Sequence, residues 1–251
     1  MIYTYDGSFD GLLSVIFETY RLRQEAEDIV EESVFQPNFF GQPLAVPTNT
    51  THAQRIRKGL IKRCGSDIMR ILYHCFLSEQ PRIEMLIYRF VRLSVGSSES
   101  ILDNFREPIV VRIHRIERQI HREVHRMHAF VRFQETQDGL YAALITPDFN
   151  VLPLLSPHFK DRYPAFRWLI YDTKRRYGIY HEQHAIRFIT LDTLQHQHLA
   201  KDVLTNAETD YQELWKTYFK SVDIPERRNM KLHLQHVPKR YWKYLTEKGS
   251  F

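Results

Sequence analysis

Apolar residues recur at steps of three and four along the first half of the chain, the pattern of helices that bury one face. Short strands are predicted at Ile2–Tyr5 and Leu44–Val46. Helices are predicted over 9–23, 52–63, 66–77, 81–95 and 101–127. In the last of these the apolar positions form a narrow seam, and Pro108 either bends the helix or marks its true start.

The pattern changes at Met127, where short runs rich in Val, Ile, Phe and Tyr replace the long helical periods. Asp138-Gly139 is a strong turn signal between two of these runs. We predict strands at 129–134, 140–146 and 151–155, a helix that starts at Ser156-Pro157 and includes Trp168 and Leu169, and strands at 178–181 and 185–190. This β-β-β-α-β-β order predicts an antiparallel sheet with a helix against one face.

Together these elements predict an α+β protein that is mostly helical, with a small central antiparallel β-sheet covered by helices. We divide the chain into a helical N-terminal region at 1–126, the sheet with its helix at 127–192, and a helical C-terminal cover at 193–251. A chain of 251 residues can bury a sizeable core, and we expect the three regions to form one compact unit.

The composition is that of an ordinary globular protein, with 43% apolar and 26% charged residues. The 35 basic residues outnumber the 30 acidic ones, which favours anionic partners such as nucleic acid. Cys64 and Cys75 support neither a disulfide framework nor a cysteine-based zinc site. No apolar run approaches the roughly 20 residues of a membrane span, and the first residues do not resemble a signal peptide. We therefore expect a cytoplasmic protein with no membrane contact and no cofactor of its own.

Histidines are frequent on the long helix. His121 and His125 are four residues apart and share a face, which suits two ligands of one metal ion. Glu117 or His128 would have to supply a third ligand, and the order of residues is not that of a zinc protease helix. The alternative is a solvated polar face without a metal, and the sequence favours that alternative.

A second group of polar residues follows Pro157. His158 and Arg162 share one face of the predicted helix, and Asp172, Arg175 and Arg176 lie further along the chain. His158 with Asp172 would suit an acid–base step, and the three arginines would suit forked contacts with phosphate. The alternative is a structural Arg–Asp network that ties the helix to the sheet, and both interpretations stay open.

Near the N-terminus, Asp6 lies in the sequence Tyr-Asp-Gly-Ser-Phe-Asp-Gly, which is neither a P-loop nor a dinucleotide-binding fingerprint. A turn followed by a helix cap at Ser8 is the favoured interpretation. The alternative is that Asp6 is an active-site carboxylate.

Arginines and aromatic residues occur together at two places. Arg132 and Phe130 share one face of the predicted sheet, where an aromatic ring beside a guanidinium can stack on bases. Lys239, Arg240 and Trp242 lie in the C-terminal run, where basic side chains can contact phosphates while a ring stacks. The alternatives are that Phe130 packs under a helix and that Trp242 is buried in a closing helix.

Six short motifs follow one another along the chain. They are Tyr5–Leu13, Phe130–Phe133, Tyr141–Pro147, His158–Arg162, Trp168–Asp172 with Arg175, and Pro238–Trp242. With these motifs the chain resembles, over nearly its whole length, a bacterial family of uncharacterised "probable DNA metabolism" proteins that carry domain of unknown function 4130.

The resemblance implies a role in DNA repair or modification, beside a radical-SAM protein encoded by the neighbouring gene. A related domain of that family occurs fused to uracil-DNA glycosylase-like modules. No established catalytic residues come with the resemblance, and the chain has no cysteine trio for an iron–sulfur cluster, so radical chemistry would belong to the partner.

The expected function is therefore a DNA-associated protein that acts with the radical-SAM partner. The expected DNA contacts are Arg132, Arg162, Arg175, Arg176, Lys239, Arg240 and Trp242. Two alternatives stay open. One is a stand-alone enzyme acting on a nucleobase or phosphodiester through His158 with Asp172, or through Asp6. The other is a non-catalytic adaptor for the partner protein.

Overall fold

The computed structural model describes residues 1–36, 42–97, 99–190 and 237–245. Within them lie six α-helices and eight β-strands, so the predicted α+β class is confirmed. The chain divides into two compact units, Met1–His121 and Arg122–Phe251. Most of the predicted C-terminal cover, at 193–236, lies outside the described residues.

The first unit combines a small sheet with helices. Its elements are β1 (Ile2–Tyr5), α1 (Phe9–Leu22), β2 (Asp28–Glu31), β3 (Leu44–Ala45), α2 (Thr50–Cys64), α3 (Ile68–Phe76), α4 (Ile83–Gly96) and the first part of α5 (Pro108–Phe130). A short 3-10 helix at Glu32–Val34 follows β2. β1, β3 and helices α1 to α4 agree with the predicted elements to within a few residues, whereas β2 was not predicted. Helix α5 begins at Pro108, the second of the two predicted possibilities, and not at residue 101.

The sheet of the first unit is parallel, with the strand order β2-β1-β3. Tyr3 pairs with Ile29 on one side and with Leu44 on the other. The chain leaves β1 towards β2 and later returns to the opposite side of β1, so the order reverses at this strand. In open parallel sheets, ligands bind at the carboxyl ends of the strands where the order reverses. Asp6 directly follows β1 and therefore lies at this end of the sheet.

The second unit is built on a mixed sheet. Its elements are the end of α5, β4 (Gln134–Glu135), β5 (Tyr141–Ile145), α6 (Leu152–Arg162), β6 (Trp168–Asp172), β7 (Tyr177–Glu182), β8 (Ala185–Ile189) and a 3-10 helix at Lys239–Tyr244. The strand order is β4-β5-β6-β7-β8. Strands β5 and β6 are parallel, with Tyr141 opposite Trp168, and the remaining pairs are antiparallel.

The prediction of a single small antiparallel sheet with the order β-β-β-α-β-β was wrong, because there are two sheets and α6 connects a parallel pair. Residues 151–155 were predicted as a strand but enter α6, since Val151, Leu152 and Leu155 are buried at helical spacing. Trp168–Asp172 was placed in the helix but forms β6, in which every residue is buried. A strand buried on both faces has no polar alternation to distinguish it from a buried helix.

The strand predicted at 129–134 was also largely wrong, because α5 continues to Phe130 and only Gln134–Glu135 pair with β5. The turn at Asp138-Gly139 is confirmed: Gly139 has a φ of 73°, and the Thr136 N–H donates to the Leu140 carbonyl at 2.9 Å. The hairpin of β7 and β8 agrees with the prediction. None of the described helices is long and apolar enough to cross a bilayer.

Two glycines give a matched test of the packing. In β7, a Cβ added to Gly178 would lie 2.9 Å from Leu169 Cδ1 and 3.0 Å from the Ile170 carbonyl oxygen. In α2, a Cβ added to Gly59 meets nothing within 4 Å. We expect Gly178→Ala to lower the free energy of unfolding by about 1–3 kcal/mol through overpacking. We expect Gly59→Ala to raise it by up to about 1 kcal/mol, since alanine favours the helix.

Urea unfolding followed by circular dichroism measures both variants. Equal effects of the two substitutions would contradict the close approach of β6 to β7 at Gly178.

Candidate functional site

The loop after β1 places a carboxylate at the reversal point of the parallel sheet. Asp6 Oδ1 accepts hydrogen bonds from the Ser8 N–H at 2.9 Å and the Ser8 hydroxyl at 2.7 Å. Asp6 Oδ2 accepts a third from the Thr48 hydroxyl at 2.7 Å. The Ser8 hydroxyl oxygen in turn accepts from the Gly11 N–H at 2.9 Å, which confirms Ser8 as the cap of α1. The predicted turn and cap are therefore present, and Asp6 is part of them.

Asp6 is exposed and its carboxylate is stabilised in the charged form. Burial of part of the group opposes ionisation, but the hydrogen bonds from Ser8 and Thr48 outweigh it, so the pKa of Asp6 lies below its ordinary value. Nearby, Asp10 in the first turn of α1 forms an ion pair with Arg57, whose guanidinium lies 5.7 Å from the centre of the Phe9 ring. An ionised, solvent-facing carboxylate can accept a proton or a hydrogen bond from a bound molecule.

A carboxylate of the second unit, Glu123 on α5, is buried with only 1% of its side chain exposed. Its Oε1 accepts from the Tyr241 hydroxyl at 2.6 Å and from the Asp148 N–H at 2.9 Å. Its Oε2 accepts from Arg240 Nη2 at 3.0 Å. Arg240 also lies 2.8 Å from Asp148 Oδ2. Arg126 Nη1 lies further away, 3.8 Å from Oε2. The four closely bonded residues Glu123, Asp148, Arg240 and Tyr241 form what we call the Glu123 network.

Tyr241 is the uncharged member of the Glu123 network. Burial raises the pKa of Tyr241, and the hydrogen bond and negative charge of Glu123 raise it further above the ordinary range. The phenol therefore keeps its proton and donates a hydrogen bond to the carboxylate. The Arg240 guanidinium lies 4.5 Å from the centre of the Tyr241 ring, so the tyrosine also supports the cation.

Asp172 and Arg175 form a second buried network at the turn between β6 and β7. Asp172 is fully buried, and its Oδ2 lies 2.8 Å from Arg175 Nη1. Its Oδ1 accepts from the N–H groups of Lys174 at 2.9 Å and Arg175 at 3.2 Å. The Arg175 guanidinium also donates to the carbonyl oxygens of Pro147 at 3.2 Å and Asp148 at 3.1 Å. The sequence left an Arg–Asp network as the alternative to a catalytic or phosphate-binding pair. The network observed joins the turn after β6 to the loop after β5, and not the helix to the sheet.

The other residues predicted to contact DNA differ in their surroundings. Arg162, Arg176 and Lys239 are exposed, and none of the three forms an ion pair with a residue that the structure describes. Arg132 is half-buried and donates to the Ala129 carbonyl at 2.7 Å. Trp242 donates its ring N–H to the Val237 carbonyl at 3.0 Å.

His158 lies beside a second histidine that sequence reasoning considered only as a metal ligand. The rings of His158 and His128 stack with their centres 3.9 Å apart. Burial and the neighbouring His158 lower the pKa of His128 to about 4, so His128 is neutral at physiological pH. Two stacked imidazoles can exchange a proton with a bound group, but no carboxylate is paired with His158 among the described residues.

Of the two histidines considered as metal ligands, His121 belongs to a group of ligand side chains that could hold a metal ion, and among the described residues His125 does not. Among the described residues, the one group that could hold a metal ion contains His121 with His74 and Glu117, and it does not include His125. Glu117 was one of the predicted third ligands, whereas His74 comes from α3 and was not foreseen.

Glu123 was also missed, although the sequence carries a signal for it. Glu123 lies in line with the buried Ile116, Ile120 and Met127, at steps of three and four along α5. A carboxylate on the apolar seam of a helix must find buried partners. Its partners Asp148 and Tyr241 carry no comparable signal, because they are distant in sequence.

Removal of one hydroxyl tests the Glu123 network. We expect Tyr241→Phe to lower the free energy of unfolding by about 1–3 kcal/mol, because the buried carboxylate loses a donor that nothing replaces. Tyr163→Phe removes the same atom from a half-buried tyrosine whose hydroxyl makes no hydrogen bond with a described residue. That control is expected to change stability by less than about 0.5 kcal/mol. Denaturant unfolding compares the two, and equal losses would contradict the network.

The lowered pKa of Asp6 predicts the direction in which the stability of the protein changes with pH. Because its folded-state pKa is lowered, the ionised group stabilises the fold above its ordinary pKa of about 3.9, and this contribution is lost as the pH falls through the lowered value. We expect Asp6→Asn to be less stable than the wild type at neutral pH, with a difference that shrinks below about pH 4. Unfolding of both proteins between acid and neutral pH measures this, and a difference independent of pH would contradict it.

Comparison with known proteins places the chain in a family. A family model described as a domain of unknown function, DUF4130, matches residues 81–247, about two thirds of the chain. No curated protein and no solved structure gives a match. The matched segment includes α5, the mixed sheet and the Glu123 network. Since the match covers more than half of its length, the chain belongs to the DUF4130 family.

Proposed function

We propose that the protein associates with DNA and acts in DNA repair or modification together with a radical-SAM protein. The resemblance to probable DNA metabolism proteins motivates the proposal, and membership of the DUF4130 family is consistent with it. In this proposal the radical-SAM protein supplies the radical chemistry, and the present chain binds the nucleic acid and presents it.

The distribution of charge supports the proposal. Met1–His121 contains fifteen basic and fifteen acidic residues, whereas Arg122–Phe251 contains twenty basic and fifteen acidic ones. The entire positive excess of the chain therefore lies in the second unit. An excess of cations on one unit attracts a phosphate backbone and increases the rate of encounter.

The observation that carries the proposal is the set of unpaired cations on this unit. Arg162 at the end of α6 and Arg176 after β6 are exposed without an ion-pair partner among the described residues. Arg175 and Arg240, in contrast, are held by Asp172 and Glu123. Free guanidinium groups can form forked hydrogen bonds with phosphate, whereas those bound to buried carboxylates cannot do so without breaking the fold. Phosphate contact is thus assigned to Arg162 and Arg176 first, and to exposed Lys239 next.

A second candidate function is a stand-alone hydrolytic or transfer enzyme acting on a nucleobase or phosphodiester. The position of Asp6 favours it, since an ionised and exposed carboxylate lies at the reversal point of the parallel sheet. In that role Asp6 would act as a general base, and the hydrogen bonds from Ser8 and Thr48 would hold it in place.

Binding of labelled single-stranded, duplex and uracil-containing oligonucleotides tests the proposal by fluorescence anisotropy. We expect affinity to fall steeply with salt, by a slope of about 0.9 in log K per log salt for each phosphate contact on duplex DNA. The variant Arg162→Gln with Arg176→Gln is expected to reduce that slope by about two, because two contacts are lost. Arg89→Gln removes an equally exposed charge from α4 of the first unit and is expected to leave the slope unchanged.

The other outcomes separate the alternatives. Weak, salt-independent association of the wild type, alone and with the radical-SAM protein, would overturn the DNA role. Association only in the presence of that protein would favour the adaptor. Cleavage or base release by the chain alone, seen on gels of the same samples, would favour the enzyme.

A further inference from the structure

Two helices of the first unit bring together three side chains of the kind that bind transition metals. His74 lies on α3, and Glu117 and His121 lie one turn apart on α5. One ligand atom from each residue lies within 4.8 Å of one from each of the others. His121 Nε2 lies 3.7 Å from Glu117 Oε1.

Packing of α3 against α5 fixes this arrangement. Ile71, Leu72 and Cys75 are buried on α3, and Cys75 Sγ lies 3.6 Å from the carbonyl oxygen of Ile113 on α5. His74 is therefore held in the same buried layer, with 7% of its surface exposed. His121 is 57% exposed, so the cluster has one buried end and one open to solvent.

The buried end has a polar atom without a partner. His74 Nδ1 is fully buried and makes no hydrogen bond with any described residue. Unpaired buried polar atoms are rare in folded proteins and call for an explanation. Burial, and then the nearby His121 and Arg70, lower the pKa of His74 to about 4, so its imidazole is neutral and has a lone pair to donate.

A cation already lies against the carboxylate of the cluster. The Arg70 Nη1 atom is 2.7 Å from Glu117 Oε1 and 3.4 Å from His121 Nε2. A fourth group, His114, places Nδ1 3.6 Å from the other carboxylate oxygen, Glu117 Oε2. Its Nε2 lies 2.9 Å from the Leu102 carbonyl oxygen, which can only accept, so in the neutral ring the proton is on Nε2 and Nδ1 carries the lone pair.

We propose that His74, Glu117 and His121 form a binding site for a divalent cation of the zinc type, with the remaining coordination position open to water. Two imidazoles and one carboxylate are a ligand set used by zinc, whereas calcium and magnesium select oxygen ligands. The guanidinium of Arg70 occupies the position that the metal ion would take. Arg70 and the metal ion therefore cannot both bind Glu117 at the same time.

Metal entry requires two small rearrangements. The ligand atoms must close from their present spacing to about 3.4 Å, the separation set by tetrahedral bonds of about 2.1 Å. His121 can supply that movement because it is exposed. Arg70 can leave because its side chain is 45% exposed and its Nε lies 3.7 Å from Asp67 Oδ1, a second carboxylate partner at the N-cap of α3.

Zinc binding to the full chain tests the site. Protein stripped with a chelator is titrated with Zn²⁺ in competition with a fluorescent zinc indicator, and bound metal is counted by mass spectrometry. We expect one equivalent in the wild type. His121→Ala is expected to weaken binding by more than roughly a hundredfold, since loss of a ligand exceeds the ten- to hundredfold effect of an outer-sphere partner. Arg70→Gln is expected to strengthen it by roughly tenfold, because the competing cation is gone.

His125→Ala is the matched control, because it removes an exposed histidine one turn along the same helix. It is expected to leave affinity and stoichiometry unchanged. His121 is exposed, so His121→Ala tests the site even if His74→Ala does not fold. The proposal is overturned if the wild type binds no zinc, if His121→Ala and His125→Ala behave alike, or if Arg70→Gln weakens binding.

Discussion

The second unit depends on the burial of one charged carboxylate. Glu123 has 1% of its side chain exposed, and an ionised group so placed is strongly destabilising unless donors surround it. Its donors come from residues 25, 117 and 118 positions further along the chain, at Asp148, Arg240 and Tyr241. The need to satisfy this one group therefore ties the loop after β5 and the C-terminal 3-10 helix to α5.

The same loop also receives the second network. Arg175 donates to the carbonyl oxygens of Pro147 and Asp148 while it pairs with Asp172, and the Asp148 N–H donates to Glu123. The loop after β5 thus links the networks of the two buried carboxylates. It fixes the turn between β6 and β7 relative to α5. An arginine committed to such a network is a poor choice for binding an external anion. The charge available to a partner is carried by the exposed cations instead.

The sequence was most informative where a local rule decides the structure. The cap at Ser8 and the turn at Gly139 are local signals, and each is found where it was predicted. Pro108 begins α5, which is one of the two roles that the sequence left open for it. The prediction failed at α6, because the short apolar run at 151–155 fits a strand as well as a helix, and at β6, because a run buried on both faces has no periodicity to identify it. The parallel pairing of β5 and β6 follows from that helix, so the error in the elements became an error in the sheet.

Sequence-based prediction has the same limit for the single side chains of the candidate sites. Arg175 and Arg176 are neighbours of identical chemistry, yet one is held by a fully buried aspartate and the other is exposed. The difference arises from a turn in which Arg176 takes a φ of 58° and its N–H donates to the Asp172 carbonyl at 2.8 Å. Composition and spacing contain nothing that separates the two; the turn and the burial of Asp172 do.

Glu123 and Glu117, six residues apart on α5, are both buried but differ in the groups that surround their carboxylates. Glu123 is surrounded by donors, so all of its charge is balanced by the fold. Glu117 is also buried, but beside the half-exposed Arg70 its neighbours are His114 and His121, rings that offer lone pairs when neutral. Lone pairs and a carboxylate do not stabilise one another unless a cation lies between them. The first network is therefore complete as it stands, whereas the second is chemically suited to exchange one cation for another.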